Sequence, residues 1–272
     1  MNPDRYAPIG VFDSGLGGLT VVREIMRNLP EERLVYFGDT ARVPYGSKSK
    51  ATVIRYSRQI VRFLRTQKVK TIVVACNTAS ALALDTIKPE IDIPIIGVVR
   101  PGTDMAVEAT KNRRIGVIAT ESTIRSGVYQ RLIKEADQDI SVFAKACPLF
   151  VPLVEEGWTK DPVTKIVAER YLDGILKQQI DTLIMGCTHY PLLRSLLQEV
   201  AGTDVTLINP AYETARALGR MLDENGILND GQVEVGERYR FFASDTVERF
   251  NAFANSILPY EITTTQVPIE SY

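Results

Sequence analysis

Apolar runs of strand length recur along this chain at about residues 7–12, 33–37, 71–75, 94–98, 114–119, 140–144, 182–186, 205–208 and 238–243. Between most of them lie stretches with apolar residues at three- and four-residue spacing: 17–29, 49–66, 77–87, 121–136, 162–178, 190–200, 211–223 and 245–256. A short β-branched run reads as a buried strand, and the three-to-four spacing reads as a helix with one apolar face. Their alternation predicts an α/β protein of open, mainly parallel sheets flanked by helices. With 45% hydrophobic residues the chain can bury such sheets.

The pattern also repeats within the chain. Aligning Cys76 with Cys187 matches Val69 with Ile180 and Thr71 with Thr182, followed by a row of apolar pairs. Ile9-Gly10-Val11-Phe12-Asp13-Ser14 is echoed by Ile115-Gly116-Val117-Ile118-Ala119-Thr120, and both runs end in a hydroxyl. The chain therefore reads as internally duplicated. The Pro101-Gly102 break predicts a crossing between halves, and Asn209-Pro210 a return. This divides the chain into a discontinuous first domain, 1–98 plus 210–272, and a second, 99–209. The segment after Pro210, with one strand and at least two helices, is expected to pack back on the first half. Thr263-Thr264-Thr265-Gln266 is expected to be a loose tail.

Composition narrows the function class. Lys plus Arg number 32 against 33 for Asp plus Glu, with no long block of one sign. A nucleic-acid or membrane surface is not expected, and a small-molecule substrate is. No 18-residue apolar span occurs, and Met1-Asn2-Pro3-Asp4-Arg5 lacks a signal peptide's basic start and apolar core, which points to the cytoplasm. Three cysteines without C-x-x-C spacing suit reduced thiols, and a single histidine argues against a Cys/His metal site.

Cys76 and Cys187 are the leading candidates for chemistry. Each stands where an apolar run gives way to a helix, and open α/β sheets hold ligands at the carboxyl ends of their strands. Each is followed by polar groups, Asn77-Thr78 and Thr188-His189, at an expected helix N-terminus, where backbone N–H groups favour anions and thiolates. The competing reading is that a buried cysteine is a small hydrophobe. That reading suits Cys147, in Lys145-Ala146-Cys147-Pro148. His189, the sole histidine, stands two residues after Cys187 and could balance that thiol's proton near neutral pH.

Asp13-Ser14-Gly15-Leu16-Gly17-Gly18 is not a dinucleotide fingerprint, because Thr20 replaces its third glycine. Either its glycines let backbone approach a small substrate while Asp13 and Ser14 meet polar groups, or it is a turn and a helix cap. Pro44-Tyr45-Gly46-Ser47 is by itself turn chemistry. Glu155, in Pro152-Leu153-Val154-Glu155, reads on sequence alone as a solvated acid more than a cleft residue.

Taken together, Phe12-Asp13-Ser14-Gly15-Leu16-Gly17-Gly18, Pro44-Tyr45-Gly46, Ala75-Cys76-Asn77-Thr78-Ala79, Pro152-Leu153-Val154-Glu155 and Gly186-Cys187-Thr188-His189-Tyr190-Pro191 closely resemble the bacterial glutamate racemases of the two-cysteine aspartate/glutamate racemase family. The likeness runs in order along nearly the whole chain. It implies two pseudosymmetric α/β domains with the active site in the cleft between them. It also implies interconversion of L- and D-glutamate without pyridoxal phosphate or metal, supplying D-glutamate to peptidoglycan, by an enzyme that is commonly a homodimer. On that resemblance Cys76 and Cys187 are the acid/base pair, with Asp13 and His189 as catalytic helpers. Asp13, Ser14, Tyr45, Gly46, Asn77, Thr78, Thr120, Thr188 and His189 are implied as substrate contacts, and Glu155 as a helper.

The chemistry fits the residue types. An α-proton beside a carboxylate is very weakly acidic, so a base must act on one face and an acid on the other while donors hold the carboxylate. A thiol, with a reference pKa of about 8.5, can serve in either role once its surroundings tune it. Three alternatives stand beside this reading: an aspartate or hydantoin racemase with the same thiols, a Cys-His hydrolase, and a non-enzymatic amino-acid-binding protein.

Overall fold

The computed structural model of the chain describes residues 4–229, 231 and 238–272. Met1, Asn2 and Pro3, on which part of the N-terminal reading rests, lie outside the described residues. The strands are β1 (Ile9–Asp13), β2 (Leu34–Gly38), β3 (Thr71–Val74), β4 (Ile95–Gly97), β5 (Arg114–Ala119), β6 (Ser141–Ala146), β7 (Thr182–Gly186), β8 (Thr206–Ile208), β9 (Tyr239–Ala243) and β10 (Thr264–Gln266). The helices are α1 (Leu19–Asn28), α2 (Lys50–Thr66), α3 (Asn77–Leu82), α4 (Leu84–Ile87), α5 (Val99–Ala109), α6 (Glu121–Arg125), α7 (Val128–Ala136), α8 (Phe150–Glu155), α9 (Pro162–Leu176), α10 (Arg194–Ala201), α11 (Pro210–Glu224) and α12 (Val247–Ile257).

They build two sheets, one in the order β10-β9-β2-β1-β3-β4 and one in the order β6-β5-β7-β8. Every strand pairing among the described residues is parallel. The run β2-β1-β3-β4 and the run β6-β5-β7-β8 have the same order, so the sequence echo is an echo of topology. In each, the chain leaves the central strand to one side and returns on the other, which opens a crevice at the carboxyl ends of β1/β3 and of β5/β7. Ser14 and Cys76 follow β1 and β3; Thr120 and Cys187 follow β5 and β7.

Successive strand residues face opposite layers. Val11 packs with Leu19, Val22, Leu218 and Phe250 on one face of the larger sheet. Phe12 packs with Phe37, Ile60 and Leu64 on the other. Full burial of each such side chain contributes about 1.5–3 kcal/mol, which makes the strand ends rigid platforms. Among the described residues, no helix is long and apolar enough to cross a membrane.

Three local expectations change. Pro101-Gly102 is not a break but the first turn of α5, where an absent proline N–H costs no intrahelical bond. Gly102 lets α5 close on α11, since a Cβ there would stand 2.9 Å from Pro210 Cγ. Thr264–Gln266 is not a loose tail: it is edge strand β10, paired in parallel with β9, with Thr264 buried and its hydroxyl donating to Asn251 Oδ1 at 2.6 Å. Some helices are shorter than their periodicity. The 121–136 stretch divides at Gly127, whose φ of 66° is left-handed, and 190–200 opens with a 3-10 turn over Tyr190–Leu193.

Candidate active site

The carboxyl ends of both sheets converge on a cavity of about 410 Å³. Ser14, Tyr45, Gly46, Cys76, Asn77 and Thr78 reach it from one side, and Thr120, Glu155, Cys187, Thr188 and His189 from the other. Asp13 does not line it. It lies fully buried in β1 behind Ser14, its Oδ2 accepting the Gly15 N–H at 2.9 Å. Burial raises the Asp13 pKa, and the charge of His189 and the backbone N–H groups of Gly15, Gly18 and Ser14 oppose that rise in part.

The two sulfurs are dressed differently. Cys76 caps α3, its Sγ accepting the Ala79 N–H at 3.4 Å and donating to Ser14 Oγ at 3.5 Å. Burial, with the Asp13 carboxylate beside it, pushes this thiol up to about 12. Cys187 Sγ lies 3.9 Å from His189 Nδ1, and His189 Nε2 lies 3.0 Å from Glu155 Oε1. Arg249 Nη2, on α12, donates to Glu155 Oε2 at 3.3 Å. Burial alone would push the imidazole pKa down, but the Cys187 sulfur and the Glu155 carboxylate outweigh it and raise it to about 10. Burial would likewise raise Glu155, yet His189 and then Arg249 bring it below its ordinary value. One sulfur thus faces an acidic neighbour, and the other an imidazolium that can offset negative charge on it.

Polar contacts lock the two sides together. The hydroxyls of Thr78, Thr120 and Thr123 form a triangle, Thr78 to Thr120 at 2.9 Å, Thr120 to Thr123 at 2.9 Å and Thr78 to Thr123 at 3.2 Å. Tyr129 donates to Asn77 Oδ1 at 2.7 Å, and the Thr20 hydroxyl donates to the Thr188 carbonyl at 2.9 Å. The Tyr45 hydroxyl donates to Asp39, so Tyr45 borders the cavity with its polar end already engaged. The sequence assigns no role to Thr123, Tyr129 or Arg249, and Asp39 reads there only as a residue ahead of the Pro44–Ser47 turn. None stands in a recognisable motif, and each acquires its place only through folding.

At Gly17 the two sides approach too closely to leave room for a side chain. A Cβ there would fall 2.3 Å from Thr188 Oγ1 and 2.5 Å from His189 Nδ1. Gly17→Ala should therefore displace His189 and lower kcat/KM by about 10²-fold, with little change in circular dichroism. A steady-state assay showing wild-type kcat/KM would refute this close-packing role.

Comparison with known proteins agrees with the geometry. A family model described as Asp/Glu/Hydantoin racemase matches residues 9–218. The glutamate racemase of Geobacter metallireducens is 47% identical over 253 residues, covering 93% of each chain. Among solved structures, a glutamate racemase isoform from Bacillus anthracis superposes with a TM-score of 0.93 at 40% identity, covering 97% of this chain and 98% of that one. The glutamate racemase of Francisella tularensis, solved with D-glutamate, gives a TM-score of 0.91 at 38% identity, covering 98% of this chain and all of the other.

Proposed function

The chain belongs to the aspartate/glutamate/hydantoin racemase family, and from that premise we propose that it interconverts L- and D-glutamate by proton transfer between two thiols, Cys76 and Cys187. The observation that carries the proposal is that sulfurs from topologically equivalent strand ends border one cavity in unlike electrostatic settings. L-Glutamate lies between them. Cys187 removes its α-proton while His189, braced by Glu155, offsets charge on that side. Cys76 delivers a proton to the opposite face, and the roles reverse for D-glutamate. A thiol beside Asp13 holds its proton until carbanion charge develops, which suits it as the acid.

Ser14, Asn77, Thr78, Thr120 and Thr188, with the backbone of Tyr45 and Gly46, are proposed to bind the substrate's charged ends, both donors and distances being fixed by the packed strand ends. The reading calls on no cofactor or metal. Supply of D-glutamate to peptidoglycan, work in the cytoplasm and assembly as a homodimer belong to the same proposal. Division into the domains 1–98 plus 210–272 and 99–209 does too, with the cavity between them.

The experiment is incubation of the purified protein with L-glutamate in D₂O. The expected result is D-glutamate and α-deuterated product without added cofactor. Aspartate, shorter by a methylene, would leave buried donors unpaired, so kcat/KM should favour glutamate by at least about 10²-fold. Comparable values for the two amino acids would transfer the assignment to another racemase. The Cys187–His189–Glu155 geometry also resembles a hydrolase relay, and accumulation of an acyl-enzyme would favour that reading instead. It leaves Cys76 without a role.

A further inference from the structure

Helix α12 belongs to the last part of the chain and carries none of the residues assigned to substrate or proton transfer. Two of its side chains nevertheless reach the Cys187 side of the site. Arg249 Nη2 lies 3.3 Å from Glu155 Oε2 and 3.8 Å from Glu156 Oε1. Phe253, one turn later on the same helix face, sets its ring 6.4 Å from the His189 imidazole at an interplanar angle of 52°. His189 is thus met at Nε2 by Glu155 of α8, itself paired with Arg249 of α12, and at its ring by Phe253 of α12.

A carboxylate can rotate about its terminal bond, and Glu155 stands near the end of a short helix at the cavity edge. A hydrogen bond to only one of its oxygens leaves that rotation open. Binding the other oxygen to Arg249 closes it, and so fixes the direction from which Glu155 meets Nε2. Because the imidazole contacts Glu155 through one nitrogen and Cys187 through the other, fixing the first contact aims the second.

We propose that Arg249 is a positioning residue for racemisation, acting through Glu155 to aim His189 at Cys187 and not touching the substrate itself. The proposal rests on the two-thiol reading above. It predicts a one-sided defect, because Arg249 and Phe253 meet Glu155, Glu156 and His189, all on the Cys187 side. Its own side chain is 57% exposed, so Arg249→Met should fold.

The test compares wild type, Arg249→Met and Arg249→Lys. Arg249→Met should lower kcat about tenfold with KM within about twofold, and Arg249→Lys should recover most of the loss. Primary isotope effects on kcat/KM with α-deuterated L- and D-glutamate give the one-sided readout. If Cys187 abstracts from L-glutamate, slowing its step raises the effect for α-deuterated L-glutamate relative to that for the D form. Unchanged kcat in Arg249→Met, or isotope effects that move together, would overturn the proposal. The contact can be followed apart from turnover, because His189 is the only histidine. Its ring NMR resonances should move in Arg249→Met and return in Arg249→Lys, and unmoved resonances count against the proposal even were glutamate not the substrate. Absence of glutamate turnover in wild type would instead defeat the functional reading.

Discussion

Replacing either Cys76 or Cys187 with serine should lower racemisation by at least about 10³-fold, in line with loss of a general acid or base from a positioned pair. A serine hydroxyl is close in size but holds its proton far more tightly than a thiol, so the cavity persists while the proton transfer fails. The two losses have different surroundings. Cys76 is screened by burial and Asp13 from giving up its proton, whereas Cys187 has His189 and Glu155 behind it. The measurement is circular dichroism of glutamate over time with each variant, alongside a thermal melt to establish that it is folded. Cys147, buried and donating to the Lys145 carbonyl, is the control: Cys147→Ser should change kcat far less.

The second large effect concerns stability and arises at the other end of the strands. Lys70 immediately precedes β3 and Glu32 lies just before β2, and their charged groups meet at 2.6 Å with side chains 0% and 1% exposed. Lys70 also donates to the Arg5 and Ile227 carbonyls, and Glu32 Oε1 accepts the Asn229 N–H. The pair thus ties the chain's first described residues and the segment after α11 to the base of the larger sheet. Burial raises the Glu32 pKa and lowers that of Lys70, each partly opposed by its partner. Lys70→Met would strand the Glu32 carboxylate in the interior and should cost about 3–5 kcal/mol of folding free energy. Urea unfolding measures it. The double replacement Lys70→Met with Glu32→Leu should regain much of the loss, because no buried charge is then left alone. A single-variant cost below about 1 kcal/mol would contradict this account of the pair. Since the pair lies opposite the cavity, kcat/KM of the folded fraction should hold.

What could be read from the sequence divides along physical lines. Strands such as Thr71–Val74 and Thr182–Gly186 are runs of β-branched and apolar residues buried on both faces, and that burial writes itself into the sequence. The thiols were legible because each ends such a run. β10 was not, since an edge strand needs few apolar residues: Thr264 alone is buried while Thr265 and Gln266 face outward. Pro101 misled because the same residue that ends one element can begin a helix.

At the site, the residues in motifs came together around one cavity, with Asp13 set behind it. In sequence Glu155 looks more solvated than it is, because its two partners are remote, His189 by 34 residues and Arg249 by 94. Thr123 escaped notice for a similar reason. A single hydroxyl in a helix carries no signal until folding sets it against Thr78, 45 residues away.

In the two-thiol mechanism Cys76 and Cys187 act on opposite faces of one substrate. The two faces are separated by following α-proton exchange in D₂O, with each enantiomer of glutamate, in Cys76→Ser and Cys187→Ser. With Cys187 alone, deuterium should enter L-glutamate without inversion; with Cys76 alone, it should enter D-glutamate without inversion. Racemisation near the wild-type rate in either variant, or exchange of the same enantiomer by both, would contradict the two-thiol mechanism.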